Sequence, residues 1–242
     1  MREEVIDYQL DGKNFKGLLV FDEGTKEARP GILIAHAYKG LDTFAKEKAR
    51  DLASLGYVAF AADLYGDGLT VKNADEAMQL MQPLFVDRAT LRKRIVGSFD
   101  VFKKFPQVDP KRIGAIGFCF GGATLLELLR SGSSVKGVVS FHGILGSHVG
   151  DKQAKLEPNH YTPGSAILIL NGYEDPMVPE SDVSSIQKEL NDANIDWQMT
   201  TYGHTKHAFM NPEAHQGPMQ YSPTVSKRAW ASMELFFKEI LK

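Results

Sequence analysis

The chain has 242 residues, of which 43% are hydrophobic and 24% charged, and its formal net charge is -2. That balance is ordinary for a soluble globular protein, and it leaves no electrostatic footprint for nucleic acid or an anionic membrane. No apolar run approaches the ~18 residues a membrane span needs. The first ten residues lack a signal-peptide core, and the single cysteine, Cys119, cannot form an internal disulfide. The expectation is a cytoplasmic enzyme or binding protein.

No repeat, low-complexity tract or linker divides the sequence, so residues 1–242 are expected to form one α/β domain. In chain order, strands are predicted at 16–21 (KGLLVF), 31–36 (GILIAH) and 57–63 (YVAFAAD). A helix at 42–55 starts from Asp42 as N-cap and stops before Gly56. The YGDG at 65–68 reads as a turn. A helix at 87–105 is ended by Pro106, and its cluster Arg88, Arg92, Lys93 and Arg94 is expected to be a solvated face. A strand at 112–117 (RIGAIG) runs into an apolar helix pattern at 120–130. Strands at 137–142, 166–172 and 196–202 alternate with helices at 181–193, where Ser181 is a candidate cap, and at 223–241. Several strands are apolar at successive positions, which suits burial on both faces of a mostly parallel sheet with helices on either side. In such sheets reactive groups gather beyond the carboxyl ends of the strands. The long polar connection from Gly143 to Gly164 is expected to be a rim or cap.

Cys119 follows the strand at 112–117 and precedes the helix at 120–130. Gly117-x-Cys119-x-Gly121 fits a nucleophile elbow with Cys in the usual Ser position. Glycine allows the tight turn, and the helix N-terminus favours thiolate. Alone, a buried structural cysteine would be the ordinary reading; the flanking glycines and the strand–helix junction favour a nucleophile. Such an elbow needs a base and a group that orients it, in the chain order nucleophile, acid, histidine. Asp175 follows the strand at 166–172 and precedes Pro176, with Glu174 as its neighbouring rival. His207, before the apolar Ala208-Phe209, is the preferred base, with His204 as the alternative. The oxyanion donors are expected to be the backbone N–H groups of Phe120 and Tyr38. His36 is expected to support that loop, and Tyr65 and His142 to shape the pocket. His148, His160 and His215 are expected at the surface. No metal-ligand spacing, P-loop or dinucleotide fingerprint occurs.

Five blocks carry a resemblance: GFCFGG at 117–122, ADLYG at 62–66, FHG at 141–143, NGYEDPMVP at 171–179 and HAFMNP at 207–212. Together they resemble the dienelactone hydrolase family of α/β-hydrolases, from about Lys16 to Lys238. The resemblance implies an α/β-hydrolase fold, a Cys119-His207-Asp175 triad, no cofactor, and hydrolysis of a small-molecule ester or lactone through an acyl-thioester. Two positions depart from the family pattern. Ala37 stands where members carry a Glu that holds the resting thiol neutral, so a standing thiolate–imidazolium pair is expected. Asn211 stands where an arginine clamps the substrate carboxylate, so a neutral ester or lactone is expected at least as much as a dienelactone. A thioesterase or acyl transferase on the same triad, or a non-catalytic binding protein on the same fold, are the alternatives.

Overall fold

The computed structural model describes residues 1–24 and 27–242. At its start Asp11 and Gly12 both have positive φ (48° and 74°). That reversal joins β1 (Arg2–Leu10) and β2 (Lys13–Phe21) in an antiparallel hairpin. The sequence predicts a strand at 16–21, within β2, and none over β1. An Asp-Gly pair between alternating runs was the available signal, and in β1 only Tyr8 is fully buried.

The chain continues through β3 (Arg29–Ala35), α1 (Thr43–Ser54) and β4 (Val58–Ala62). Asp42 caps α1 as expected, accepting from the Ala45 amide at 3.0 Å. Next comes α2 (Ala74–Val86), which the sequence reading did not predict. Its cap Asn73, its first-turn acids Asp75 and Glu76, and its buried Ala77, Met81, Leu84 and Phe85 all fit helical spacing. Pro83 lies inside it and weakens the signal. Then follow α3 (Arg88–Phe102), β5 (Val108–Phe118), α4 (Phe120–Arg130), β6 (Gly137–Phe141), a small hairpin of β7 (His148–Val149) and β8 (Lys152–Gln153), β9 (Ala166–Gly172), α5 (Glu180–Asp192), β10 (Asp196–Tyr202) and α6 (Pro223–Ile240). The cap of α5 is Pro179, and Ser181 lies within the helix, which corrects the expected cap. No helix among the described residues is long and apolar enough to cross a membrane.

The eight-stranded sheet runs β1-β2-β4-β3-β5-β6-β9-β10. β2 pairs antiparallel with β1 and with β4, and β4, β3, β5, β6, β9 and β10 run parallel to one another. This is the mixed, mostly parallel sheet of an α/β-hydrolase fold. Every residue of β4, β6 and β9 is buried, because helices cover both faces. One layer packs Met81, Leu91, Phe120 and Ile186 from α2, α3, α4 and α5 against the sheet. The other packs Phe44 and Ala49 of α1 with Met233 and Phe237 of α6.

Of the basic cluster of α3 only Lys93 is exposed as expected; the three arginines turn inward. Arg88 is 1% exposed and donates to the Gly146 carbonyl at 3.1 Å. Arg92 bonds Glu127 through two nitrogens at 3.0 and 2.8 Å, and Arg94 bonds the Leu64 carbonyl. Glu127 of α4 also accepts from Arg130 at 3.1 Å and faces Arg88 at 3.8 Å. A helix laid against another helix must pair its inward charges.

Candidate active site

The turn at Cys119 is tight. β5 ends at Phe118 and α4 begins at Phe120, so one residue reverses the chain, at φ 56°. A non-glycine residue there carries strain of order 1–3 kcal/mol. Its neighbours must be glycines. A Cβ on Gly117 would lie 2.4 Å from the Gly121 carbonyl oxygen, and one on Gly121 would lie 2.1 Å from the Ala35 oxygen. Backbone bonds fasten the turn to β6 and the segment after it: Cys119 N donates to Phe141 O at 3.2 Å, and Ile144 N donates to Cys119 O at 3.2 Å. The result presents Sγ at the start of α4, where the helix dipole favours negative charge.

Two loops bring the other groups to this point. β9 and β10 pair in register to their ends, Gly172 opposite Tyr202. Beyond them Tyr173 N donates to Tyr202 O and Glu174 N to Thr205 O, each at 2.9 Å. The loops therefore leave the sheet in step, and Asp175 meets His207. His207 Nδ1 lies 2.7 Å from Asp175 Oδ2, and Asp175 Oδ1 accepts from Met177 N at 2.9 Å. Both side chains are buried. The rival residues pair with each other instead, His204 Nδ1 to Glu174 Oε1 at 3.3 Å, with the His204 side chain fully in solvent.

Burial by itself would lower the His207 pKa. A thiolate at Cys119 and the hydrogen bond to Asp175 together outweigh it and raise the ring to about 10. Nε2 makes no hydrogen bond of good geometry, so Cys119 acts on the ring chiefly through charge. His142 also packs here, its ring edge-on to His207 at 5.2 Å and to Phe209 at 5.1 Å. Burial, with the His207 charge second, holds His142 well below its ordinary value.

The wall opposite is the loop after β3. The amides of Tyr38 and Phe120 meet no acceptor among the described residues. Tyr65 was expected to shape the pocket. It instead donates its hydroxyl to the Tyr38 carbonyl at 2.7 Å and stacks on Phe120 at 6.2 Å, holding this wall in place. His36 is buried, accepts from the Leu64 amide at 3.2 Å and bonds the Ala37 carbonyl at 2.6 Å through Nδ1.

Cys119 and His207 sit between two chambers. The larger, about 620 Å³, is lined by Ala74, Met78 and Met81 of α2 together with Ile144, Met177 and Met219. Because Pro83 blurs the helical pattern of α2, this wall is not legible in the sequence. The smaller, about 320 Å³, is lined by Ala37, Lys39, Lys72, His142, Asn211 and Gln216, among others. Asn211 reaches it with its oxygen already accepting from the Glu213 amide at 2.9 Å. His148 and His215 are exposed as expected and also stand on the chamber rims, whereas His160 lines neither chamber. Arg88 lines neither chamber.

The family model described as the dienelactone hydrolase family matches residues 15–241. The chain belongs to this family. A solved structure titled as a dienelactone hydrolase-like promiscuous phosphotriesterase, P91, from metagenomic libraries is 32% identical with a TM-score of 0.90, covering 100% of this chain and 99% of that one. A second, titled m3DLH, is 35% identical with a TM-score of 0.89 over the same shares. Protein usf of Aquifex pyrophilus is 27% identical, over 98% of this chain and 99% of its own. The name carboxymethylenebutenolidase recurs among the relatives. This dienelactone hydrolase family member is a hydrolase acting on esters or lactones.

Proposed function

We propose that the chain acts as one catalytic unit in which Cys119 is the nucleophile, His207 the acid and base, and Asp175 the group that orients His207. The observation that carries this is the buried His207–Asp175 contact at 2.7 Å beside a cysteine strained into an elbow. A resting thiolate–imidazolium pair is supported by the hydrogen bond to Asp175, which favours the charged ring, by the start of α4 at Cys119, and by Ala37, which offers the thiol no carboxylate to share its proton with. The thiolate attacks the carbonyl carbon, and the amides of Phe120 and Tyr38 hold the oxyanion. As the C–O bond breaks, His207 Nε2 gives its proton to the leaving oxygen. His207, now neutral, takes a proton from water; the hydroxide attacks the thioester and the C–S bond breaks. Thiolate and imidazolium are restored, and the carboxylic acid leaves.

A phosphotriester is a second reading. It is favoured by the name of the 32% identical relative and by a larger chamber whose lining has no lysine or arginine.

The test is hydrolysis of a short p-nitrophenyl ester by wild type and by Cys119→Ala, with the pH dependence of thiol alkylation beside it. Turnover lost in the variant and alkylation that persists well below the ordinary thiol range of ~8.5 are expected. Equal turnover by both proteins would remove Cys119 from the mechanism. A reactive thiol titrating near ~8.5 would remove the resting ion pair.

A further inference from the structure

We propose that the larger chamber selects its substrate by an extended, uncharged hydrocarbon limb, so that the preferred substrates are neutral medium-chain esters with their polar limb in the smaller chamber. This rests on the ester hydrolase reading above. The two chambers meet at Cys119 and His207 and differ in size and chemistry. The larger has about twice the volume and presents Met78, Met81, Met177 and Met219 around Ile144. Methionine is unbranched and polarisable, and it adapts to flexible chains. Met78 and Met177 come from different elements and are 38% and 37% exposed. Large apolar side chains left open on facing walls of a cleft are what an apolar ligand covers.

Charge makes the same distinction. Among the described residues no lysine or arginine lines the larger chamber, and its carboxylate is Asp182. Asp182 is half-buried against the backbone of Gly146, where an added Cβ would lie 2.0 Å from Oδ2. Burial raises its pKa, with His148 opposing, so it is already short of solvation. Arg88, the guanidinium bonded to the same Gly146, is committed to that carbonyl and to the neighbourhood of Glu127. A carboxylate at the far end of the substrate's long limb would therefore meet Asp182, with the exposed His148 on the rim and no lysine or arginine among the described residues to pair with it. The cations Lys39 and Lys72 stand in the other chamber.

The experiment uses two ester series, one lengthening the acyl chain and one lengthening the alcohol, from two to about eight carbons. A third set carries a carboxylate at the far end of the longest limb. Each buried methylene should raise kcat/KM roughly threefold to fourfold in one of the series. The terminal carboxylate should return the rate to that of the shortest ester or below, and Asp182→Asn should raise the anionic-to-neutral ratio. Met177→Trp should lower the long-to-short ratio about tenfold, because a filled chamber refuses the chain. Binding is read separately with Cys119→Ala, where octanamide should bind more tightly than acetamide or the monoamide of octanedioic acid. Short esters cleaved with no rise in either series would overturn the chamber proposal and leave the hydrolase reading standing. If no ester is cleaved at all, the hydrolase reading fails, and the amide affinities still decide the chamber: equal binding of the three would overturn it.

Discussion

His207 Nδ1 and Asp175 Oδ2 lie 2.7 Å apart in the buried space beyond the paired ends of β9 and β10. The contact fixes which ring nitrogen faces Asp175 and leaves Nε2 for chemistry. Asp175→Asn keeps the shape and an acceptor for the Met177 amide, yet removes the charge that stabilises the imidazolium. The expected outcome is kcat lowered by roughly 10³–10⁴-fold, with KM little changed. Steady-state kinetics on a short ester measures it, and a loss under tenfold would show that Asp175 does not orient the base.

Gly121→Ala is expected to be severe. The new Cβ would sit 2.1 Å from the Ala35 carbonyl oxygen, a backbone atom in the middle of β3's carboxyl end. Either the elbow or β3 must move, at a cost of about 3 kcal/mol or more. Gly203→Ala is the contrasting case, because a Cβ there meets nothing within 4 Å. Its stability should change by less than about 0.5 kcal/mol. Urea denaturation of both variants tests the difference.

The two buried nitrogens of His142 have no hydrogen-bond partner among the described residues, and the ring stays neutral far below its ordinary pKa. In the unfolded chain this histidine titrates near ~6.5. As pH falls below that value the unfolded state binds a proton that the folded state refuses, so folding stability is lost on the acid side. His142→Phe removes the linkage. The loss of unfolding free energy between about pH 7.5 and pH 5 should be smaller in the variant than in wild type. Equal losses would show that His142 is protonated in the folded protein.

Glu127, on the buried side of α4, faces the guanidinium groups of Arg88, Arg92 and Arg130. Glu127→Gln leaves three cations around a neutral amide, with Arg88 fully buried among them. A loss of about 3–5 kcal/mol is expected. Adding Arg88→Met should restore part of it, because burial already pushes the Arg88 guanidinium down to about 10. Denaturant midpoints for the single and double variants decide the matter, and no recovery would show that the burden lies with Arg92 or Arg130.

The strand ends that carry Cys119, Asp175 and His207 were legible in the chain because each follows an apolar run and sits in a turn signal only a few residues long. Glycine spacing around Cys119 was readable for the same reason: the clash it avoids involves Gly117 and Gly121, four positions apart, and the end of a strand already expected. Hairpin β1–β2 and helix α2 were readable in principle, from Asp11-Gly12 and from the cap at Asn73, but a weakly buried edge strand and an internal Pro83 blur their periodicity.

Other features depend on partners far along the chain, and only the tertiary structure decided them. Arg88 reaches the Gly146 carbonyl across 58 residues and Arg92 reaches Glu127 across 35, so arginines that read locally as part of a solvated face are drawn inward and paired, while Lys93 stays exposed. Tyr65 reaches the carbonyl of Tyr38 rather than the pocket, and α2 folds over the elbow to set the chamber's Met78 and Met81 against Met177 and Met219. Local sequence determined where Cys119, Asp175 and His207 leave the sheet, since backbone conformation there is a short-range property. Which side chains face them, and which charges remain free for a substrate, was decided by packing between distant segments.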